Sequence, residues 1–334
     1  MLLKAINPEH KNPYNGFYTL FSMAYSYAGL RLESPAVLAP MSGVSTLPFR
    51  LLCKELGAAL TYTEFASAIA IARNLENRAS NNKVFKRVLT VKEERPCAVQ
   101  LFAPQEKDLI TAIEYVEKEF DIIDINFGCP SPKITGGGCG AYLLKEPEKM
   151  IGLLKAAVSI SKKPVTCKLR MGWDKPVLHE FVSKIENAGV QGMAVHARTA
   201  LQGYSGAADW NYIKKIKQMI SIPLIGNGDI HSAADVIDKI ENKYCDLVMI
   251  GRQAWNRPEI FAEIAGKEIP SKEKLLQRYF ELVNEHAVTD LVDVKAQVSG
   301  MLSGLPHIKK MRVELMQQND LIGIEKVVLK SEIV

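Results

Sequence analysis

The sequence predicts an α/β fold, a (β/α)8 TIM barrel that is followed by a small C-terminal helical domain. Three observations support this prediction. Eight short apolar runs recur between residues 36 and 252, amphipathic stretches with helical spacing separate them, and only helical patterns remain after about residue 265. Strands that alternate with helices pair in parallel through helical crossovers. We therefore divide the chain into an N-terminal extension of unassigned role (1–24), a barrel (25–265) and a helical domain (266–334).

The eight predicted strands are short and apolar, which is typical of parallel strands buried on both faces. They are AVLAPM (36–41), LTYTEF (60–65), CAVQLF (97–102), IIDINF (122–127), VTCKLR (165–170), GMAVHA (192–197), PLIGNG (223–228) and LVMIGR (247–252). A small hairpin is predicted before the first strand, in YAGLRLESP. A doubly wound open sheet usually has fewer strands and a GxGxxG turn after the first. No strand here is followed by that pattern, so the count favours the barrel.

Proline and glycine mark the ends of the predicted helices. Pro48 lies in the first turn of one helix and Gly57 follows its end, which are the positions these residues favour. The stretch DLITAIEYVEKEF carries apolar residues at helical spacing. In the C-terminal domain, SKEKLLQRYFELVNEHAV and VDVKAQVSGMLSGLPHIKKMRVELMQQ predict helices with a break at Gly304 and Pro306.

Composition limits the classes of protein that the chain can belong to. It has 334 residues, 47% of them apolar, and a net charge of +5, which permits an anionic partner without requiring one. Its six cysteines form no CxxC pair and no cluster with histidine, which argues against a disulfide framework and against a metal site. The apolar stretch at 16–30 is too short to span a membrane. We expect a cytoplasmic protein with reduced thiols and no membrane association.

Nearly every predicted strand ends in a polar or conformationally special residue. In a barrel of this type the chemistry lies at the C-terminal ends of the strands. These residues are Pro40, Met41 and Ser42, then Glu64, Gln100, Asn126, Cys129, Lys168, Arg170, His196, Arg198, Asn227, Gly228, Asp229, Gly251 and Arg252. Lys168 and His196 each admit a second interpretation as a satisfied core residue. Because they stand at the same level on adjacent strands, they indicate a bound polar or anionic ligand.

The loop that follows the fourth strand is a candidate lip of the active site. It begins at Cys129 and contains three consecutive glycines, Gly136 to Gly138. Loops longer than about 12 residues are uncommon in compact domains and are usually functional or disordered. The alternative is a buried structural cysteine beside a turn. The glycines in IGNGDI and IGRQAW, after the last two strands, indicate a phosphate site, although glycine also serves steric needs in such turns.

Seven motifs together resemble the tRNA-dihydrouridine synthase family. They are APMSGVSTLPFR (39–50), VQLFAP (99–104), DINFGCPSPKITGGGCGAYLL (124–144), KLRMGWD (168–174), VHARTALQGYSGAADW (195–210), IGNGDI (225–230) and IGRQAW (250–255). The resemblance covers about residues 39–261 and implies a flavin-binding (β/α)8 barrel with a small helical domain. This agrees with the strand count.

The resemblance implies FMN as cofactor and NADPH or NADH as its reductant. Pro40, Met41 and Ser42 would lie along the isoalloxazine ring. Gln100 and Lys168 would hydrogen-bond to it, since a cation there stabilises a reduced flavin. The other implied contacts are His196 against the cofactor and, around the ribityl phosphate, Asn227, Gly228, Asp229, Gly251 and Arg252.

The implied reaction is reduction of the C5–C6 bond of uridine in tRNA. FMN N5 would deliver hydride to C6, and Cys129 would donate a proton to C5, which requires a protonated thiol. Asn126 would hold the uracil edge, and the glycine-rich loop would leave Cys129 free to close over the base.

The resemblance also implies that tRNA contacts lie at the barrel mouth and in the helical domain. Arg170, Arg198 and Lys133 are the candidate contacts at the mouth. The GLP at 304–306 and Arg312 match the family, whereas VKAQVSGMLS replaces an aromatic, basic stretch. We expect a monomer, because tRNA must reach the barrel mouth.

Two other functions are compatible with parts of the sequence. A free-pyrimidine oxidoreductase resembling dihydroorotate dehydrogenase shares the FMN barrel and a similar cysteine turn. The SPKITGGG loop, the HART segment and the C-terminal helices argue against it. A non-catalytic tRNA-binding barrel is the second alternative, and the presence of Cys129, Lys168 and His196 argues against it.

Overall fold

The computed structural model describes residues 24–77, 83–287, 289–306 and 308–329. Except for its last residue, the N-terminal extension expected at residues 1–24 lies outside these ranges. The described part begins with the predicted hairpin, an antiparallel pair of β1 (Tyr25–Tyr27) and β2 (Leu30–Leu32). In the part of the chain that is described, no helix combines the length and apolarity needed to cross a membrane.

The centre of the molecule is the predicted parallel barrel. Its strands are β3 (Ala36–Leu38), β4 (Thr61–Tyr62), β5 (Ala66–Ser67), β6 (Cys97–Phe102), β7 (Ile122–Phe127), β8 (Val165–Arg170), β9 (Met193–His196), β10 (Leu224–Asn227) and β11 (Leu247–Ile250). They pair in the order β3-β11-β10-β9-β8-β7-β6-β4, and β5 also pairs with β6. Backbone hydrogen bonds from Leu38 N to Leu60 O (3.0 Å) and from Ala59 N to Ala36 O (2.9 Å) join the first strand to the segment that precedes β4. The predicted barrel fold is thus confirmed.

The second barrel strand differs from its prediction. Residues 60–65 do not form one strand, because β4 ends at Tyr62 and β5 begins at Ala66, although the Thr63 amide still donates to the Ala98 carbonyl at 2.9 Å. The reason is tertiary: the Glu64 carboxylate accepts a hydrogen bond from the Gly43 amide at 2.7 Å. The first strand is also shorter than predicted and ends at Leu38, two residues before Pro40, which has no amide to donate.

Helices surround the barrel as the alternating pattern predicts. They are α1 (Leu47–Leu56), α2 (Ala68–Glu76), α3 (Lys83–Arg87), α4 (Glu106–Val116), α5 (Pro132–Thr135), α6 (Pro147–Ile160), α7 (Val182–Asn187), α8 (Trp210–Lys217), α9 (Ala233–Glu241), α10 (Arg252–Asn256) and α11 (Ile260–Ile264). Short 3₁₀ helices lie at Lys92–Glu94, Gly140–Lys145 and Leu178–Glu180. Gly57 ends α1 in the left-handed conformation (φ 116°), as its position predicts.

The C-terminal helices pack on the barrel and share its core. They are α12 (Lys272–His286), α13 (Leu291–Met301), α14 (Ile308–Gln317) and α15 (Leu321–Leu329). The first three match the predicted helices and their break, and α15 was not predicted. Leu276, Tyr279 and Phe280 of α12 are buried in the same apolar cluster as the barrel strands. The boundary at residues 265 and 266 remains a prediction, because the core is continuous across it.

Candidate active site

A cavity of about 670 Å³ opens at the C-terminal end of the barrel. Most of the predicted site residues line it: Pro40, Met41, Ser42, Asn126, Cys129, Lys168, Arg170, His196, Asn227, Gly228, Asp229, Gly251 and Arg252. Gln100 and Arg198 do not line it. Lys133 lies in α5, next to the cavity-lining Pro132, and is exposed.

Gln100 lies beneath the cavity floor, fully buried. Its Nε2 donates to Asp124 Oδ2 at 2.7 Å, and its Oε1 accepts from Asn126 Nδ2 at 2.7 Å. The structure therefore places Gln100 as a support for Asn126, and its predicted contact with the flavin ring remains a prediction.

Hydrogen bonds at both its amide and its carbonyl fix the backbone of Cys129. Its amide donates to Asn126 Oδ1 at 2.9 Å, and its carbonyl accepts from the Ala141 amide at 2.9 Å. Gly140 makes this second contact possible, because a Cβ there would lie 2.7 Å from the Cys129 carbonyl oxygen. The glycine-rich loop is thus folded back on Cys129 through α5 and the 3₁₀ helix at 140–145, whereas we expected it to leave Cys129 free to move.

The thiol of Cys129 is in the form that an acid requires. Burial raises its pKa, while the Ser131 amide and the positive charges of Arg170 and Lys168 act in the opposite direction. The thiol is therefore protonated at neutral pH and lies near cations that would stabilise a transient thiolate.

Lys168 brings a positive charge into the cavity. Burial, followed by the charge of Arg170, lowers the pKa of Lys168 to about 8, and Asp124 opposes the shift. The ammonium group donates to Asn227 Oδ1 at 3.2 Å, and Asn227 Nδ2 in turn donates to the Met249 carbonyl at 2.8 Å. Asn227 therefore orients Lys168, which is mostly charged at pH 7.

His196 is neutral in this environment. Burial lowers its pKa, and the neighbouring cations, of which Lys168 contributes most, lower it further. Its Nε2 lies 3.5 Å from Arg198 Nη1. A neutral imidazole is not repelled by the surrounding cations, and it can accept a hydrogen bond from Arg198.

Asp229 joins two arginines beside the cavity. Its Oδ2 accepts from Arg198 Nη2 at 2.6 Å and its Oδ1 from Arg252 Nη2 at 3.2 Å. Although burial raises the pKa of Asp229, the hydrogen bonds from Arg198 and Ala208 and the charges of both arginines lower it overall. Arg198 is only 2% exposed, so the structure gives it a supporting position behind Asp229 rather than a surface position.

Arg170 supports the loop that carries Cys129. Its Nε donates to the Gly128 carbonyl at 2.9 Å, and its Nη1 donates to the carbonyls of Thr199 and Gly203 at 2.9 and 2.8 Å. Arg170 therefore links the loops that follow β7 and β9 at the cavity wall.

Three aromatic residues that were not predicted as site residues also line the cavity, namely Phe65, Tyr204 and Trp255. Tyr204 is 59% exposed, and Arg252 lies over its ring at 4.4 Å from the centroid. Trp255 donates from Nε1 to the Ala296 carbonyl of α13 at 3.0 Å. Tyr204 lies in the loop after β9 and Trp255 lies in α10, and both belong to motifs that resemble the family, so those motifs could have identified them.

Comparison with known proteins assigns the family. A family model described as "Dihydrouridine synthase (Dus)" matches residues 37–326. The chain belongs to the dihydrouridine synthase family. The family that the motifs predicted is therefore confirmed, and with it the enzyme class, a tRNA-dihydrouridine synthase.

Several members of the dihydrouridine synthase family are similar over most of their length. A "Probable tRNA-dihydrouridine synthase" of Aquifex aeolicus is 35% identical over 292 residues, covering 84% of this chain and 90% of that protein. A protein of the same description from Rickettsia bellii is 33% identical and covers 89% and 94%. A "tRNA-dihydrouridine synthase B" of Pseudomonas syringae is 37% identical and covers 70% of each.

A solved structure supports the fold alone. Histamine dehydrogenase from Rhizobium sp. 4-9 aligns with a TM-score of 0.53 at 13% identity, covering 86% of this chain and 51% of that chain. Within the described residues, no group of three or more histidine, cysteine, aspartate or glutamate side chains is arranged to hold a metal ion.

Proposed function

We propose that the protein reduces uridine in tRNA to dihydrouridine with FMN as cofactor, NADPH or NADH as reductant and Cys129 as the acid. The observation that supports this most directly is the position of Cys129, a protonated thiol, in the same cavity as Lys168 and the arginines. The dihydrouridine synthase family to which the chain belongs gives the reaction class, and the residues of this chain give the individual roles.

The charge of the cavity supports FMN as the cofactor. Among the described residues, Lys168, Arg170 and Arg252 face the cavity with one carboxylate, Asp229, so an anionic ligand would compensate an excess of positive charge. When bound and reduced, FMN supplies the hydride that uracil C6 receives.

We assign the cofactor contacts as follows from the placement of the side chains. The segment at 40–42 would lie along the flavin ring, and Lys168 would donate to it. Neutral His196 would pack against the cofactor without adding charge. Arg252, with the backbone at 228 and 251, would bind the phosphate.

Cys129 completes the reaction by proton transfer. Its S–H bond breaks as the C5–H bond of the base forms, which leaves a thiolate that regains its proton from solvent. Lys168 and Arg170 stabilise that thiolate, and the hydrogen bonds to Asn126 and Ala141 fix the backbone from which the thiol extends.

The substrate is a base that leaves the tRNA stack to enter this cavity. Asn126 lines the cavity with one amide hydrogen not used by Gln100, and that hydrogen can hold a uracil carbonyl. Tyr204 offers an exposed ring at the mouth, a surface on which a base can stack. Lys133 and the helical domain would bind the tRNA backbone. We propose that the protein acts as a cytoplasmic monomer.

Anaerobic reoxidation tests the proposal. The protein is loaded with FMN, reduced with NADPH and mixed with unmodified tRNA or with orotate while flavin absorbance is followed. Rapid reoxidation by tRNA alone is expected. Reoxidation by orotate alone would instead indicate the free-pyrimidine enzyme. Binding of tRNA by a protein that retains no FMN would indicate the non-catalytic barrel.

A further inference from the structure

A line of buried polar side chains runs from the interior of the barrel to Cys129. It starts at Asp124, which is fully buried and accepts from Thr166 Oγ1 at 2.6 Å and from Gln100 Nε2 at 2.7 Å. Gln100 accepts from Asn126 Nδ2 at 2.7 Å. Asn126 Oδ1 accepts from the amides of Gly128 at 3.1 Å and Cys129 at 2.9 Å.

The direction of these hydrogen bonds is fixed from both ends. The amides of Gly128 and Cys129 can only donate, so Asn126 must turn its oxygen towards them and its NH₂ group towards Gln100. Gln100 must then accept with its oxygen and donate with its own NH₂ group. That donation needs an acceptor at residue 124, and an ionised carboxylate is a side chain that only accepts.

A buried carboxylate is expensive unless its interactions compensate the loss of water. Asp124 lies among apolar strand residues, and it receives two hydrogen bonds and the field of Lys168. An apolar residue would fill the same space at lower cost, so a hydrogen-bond acceptor at this position calls for an explanation beyond packing.

We propose that Asp124 is a positioning residue that orients the carboxamides of Gln100 and Asn126 and thereby fixes the backbone of Cys129 in the cavity. The inference rests on the proposed function only in taking Cys129 to be the acid. The arrangement itself can be tested without tRNA and without turnover.

Exchanging the carboxylate and the carboxamide between residues 124 and 126 tests the direction of the hydrogen bonds that pass through Gln100. In Asn126→Asp, Gln100 would face an acceptor at both ends, and one contact must fail. In the double variant D124N/N126D, Gln100 can turn over, donate to the new carboxylate at 126 and accept from the new carboxamide at 124. All three side chains are then paired again, with no change in size. Asp124→Asn alone should be mild, because its oxygen still accepts from Gln100 and the Thr166 hydroxyl can turn to accept its NH₂ group.

A pH profile separates this mechanism from a simple packing defect. In Asn126→Asp, protonation of Asp124 creates an O–H donor and removes the conflict, so the defect should appear only as pH rises. Burial raises the pKa of Asp124 to about 6 in the native sequence, which places the change within reach of pH 5 to 7.5. The charged or titratable groups that act on Asp124 or are affected by it are Lys168, Cys167, Tyr27 and Tyr62. Lys168, with a pKa of about 8, stays mostly protonated in this range, and the pKa values of the other three are raised well above it.

The experiment measures amide hydrogen exchange at Gly128 and Cys129, and iodoacetamide alkylation of Cys129, in the full-length protein. In Asn126→Asp, we expect the protection factors of the Gly128 and Cys129 amides to be at least tenfold lower at pH 7.5 than at pH 5.5. In the double variant, they should stay within threefold of the native values at both pH values. Unchanged protection in Asn126→Asp, or a double variant no better than it, would overturn the proposal.

A third substitution separates the hydrogen-bond line from direct charge repulsion. With Gln100→Met in both Asn126→Asp and the double variant, the two ends are no longer connected through a carboxamide. Asp124→Asn should then no longer restore the protection of the Gly128 and Cys129 amides that Asn126→Asp loses. If Asp124→Asn still restores it, repulsion between carboxylates explains the data and Asp124 does not act through Gln100. If Cys129→Ala reduces tRNA at the native rate while the exchange pattern is as expected, Cys129 is not the acid and this inference still stands.

Discussion

At the scale of single residues, Cys129 is the centre of the proposed chemistry. We expect Cys129→Ala to keep FMN and its reduction by NADPH, because the backbone contacts to Asn126 and Ala141 do not involve the thiol. Dihydrouridine formation should fall by about 10² to 10⁴-fold, the usual contribution of a general acid. The measurement is single-turnover reoxidation of the reduced flavin by tRNA.

Cys139→Ser is the matched control for this variant. Cys139 lies ten residues further on, is 3% exposed and has its sulfur 3.5 Å from the Gly137 carbonyl, so it does not face the cavity. Its replacement should leave turnover near normal. Full activity in Cys129→Ala would show that Cys129 is not the acid and make Cys139 the first substitute to examine, and loss of turnover only in Cys139→Ser would then assign the role to Cys139.

Lys168 shows the stability cost of placing a cation for function. Burial lowers its pKa from 10.5 to about 8 in the folded protein, so the charged form is disfavoured relative to the unfolded chain. Between these two pH values the unfolded state binds more protons, and the free energy of unfolding therefore rises with pH. Below pH 8 the full cost is present, and it disappears above pH 10.5.

Replacing Lys168 with methionine removes this cost. At one pKa unit per 1.36 kcal/mol, the variant should be more stable than the native protein by up to about 3 kcal/mol at pH 7.5. The advantage should shrink as pH rises towards 10, in urea unfolding of the flavin-free proteins. If the difference in unfolding free energy between the two proteins does not change with pH, titration of Lys168 is not the cause of it. The variant should also bind FMN more weakly.

At the scale of elements, the sequence prediction was accurate where neighbouring residues determine the element and wrong where a contact between distant segments determines it. The strands at 97–102, 122–127 and 165–170 have the predicted bounds, since each is one continuous apolar run between polar segments. The second strand was wrongly predicted as one run. The contact that accompanies its interruption, between Glu64 and Gly43, joins segments that are distant in sequence, so no local pattern indicates it.

The same distinction explains which parts of the site were predicted. The motifs at strand ends gave most of the cavity lining. Asp124 was missed because it lies in the middle of an apolar strand, although a lone carboxylate there is itself unusual. The supporting position of Arg198 was also missed, because its partner Asp229 belongs to another strand end.

The contact between α10 and α13 is an element-scale feature that can be tested at one glycine. A Cβ at Gly300 would lie 2.1 Å from Trp255 Nε1, so Gly300→Ala must displace the Trp255 ring. We expect a loss of about 1–3 kcal/mol in unfolding free energy, typical of overpacking. Because Trp255 lines the cavity, FMN affinity should fall as well, which flavin fluorescence titration measures.

Gly152→Ala in α6 is the matched helical control. Its Cβ would meet only Glu106 Oε1, at 3.2 Å, and this is the end of an exposed side chain that can move. Alanine favours a helix over glycine, so the control should be equally stable or more stable by up to about 1 kcal/mol. If both variants bind FMN normally, α13 does not influence the cavity through Trp255.

At the scale of the whole molecule, the barrel and the C-terminal helices share one apolar core. The apolar cluster includes barrel strands together with Val294 and Val298 of α13. Polar contacts join the same parts: Arg278 of α12 pairs with Glu55 of α1 at 2.8 Å. A part that shares its core with its neighbour is not expected to unfold alone.

Gln297 of α13 lies in the middle of this interface and tests that expectation. It is fully buried, its Nε2 donates to the Gly43 carbonyl at 3.1 Å and to Thr46 Oγ1 at 3.0 Å, and its Oε1 accepts from the Tyr279 hydroxyl. Gln297→Leu leaves these groups unpaired in the interior, at a cost of about 1–3 kcal/mol each. Gln277→Leu on the exposed face of α12 is the control and should change stability by less than about 0.5 kcal/mol.

The measurement is hydrogen exchange along a urea series, which follows peptides of β7 and of α12 separately. Because the core is continuous, both peptides should lose protection at one urea concentration in the native protein and at one lower concentration in Gln297→Leu. Earlier loss in α12 alone, in either protein, would show that the helices form an independent domain. In that case the loop at 41–46, which Gln297 holds beside the cavity, would depend on a part that opens separately, and FMN affinity should fall at the urea concentration where α12 unfolds.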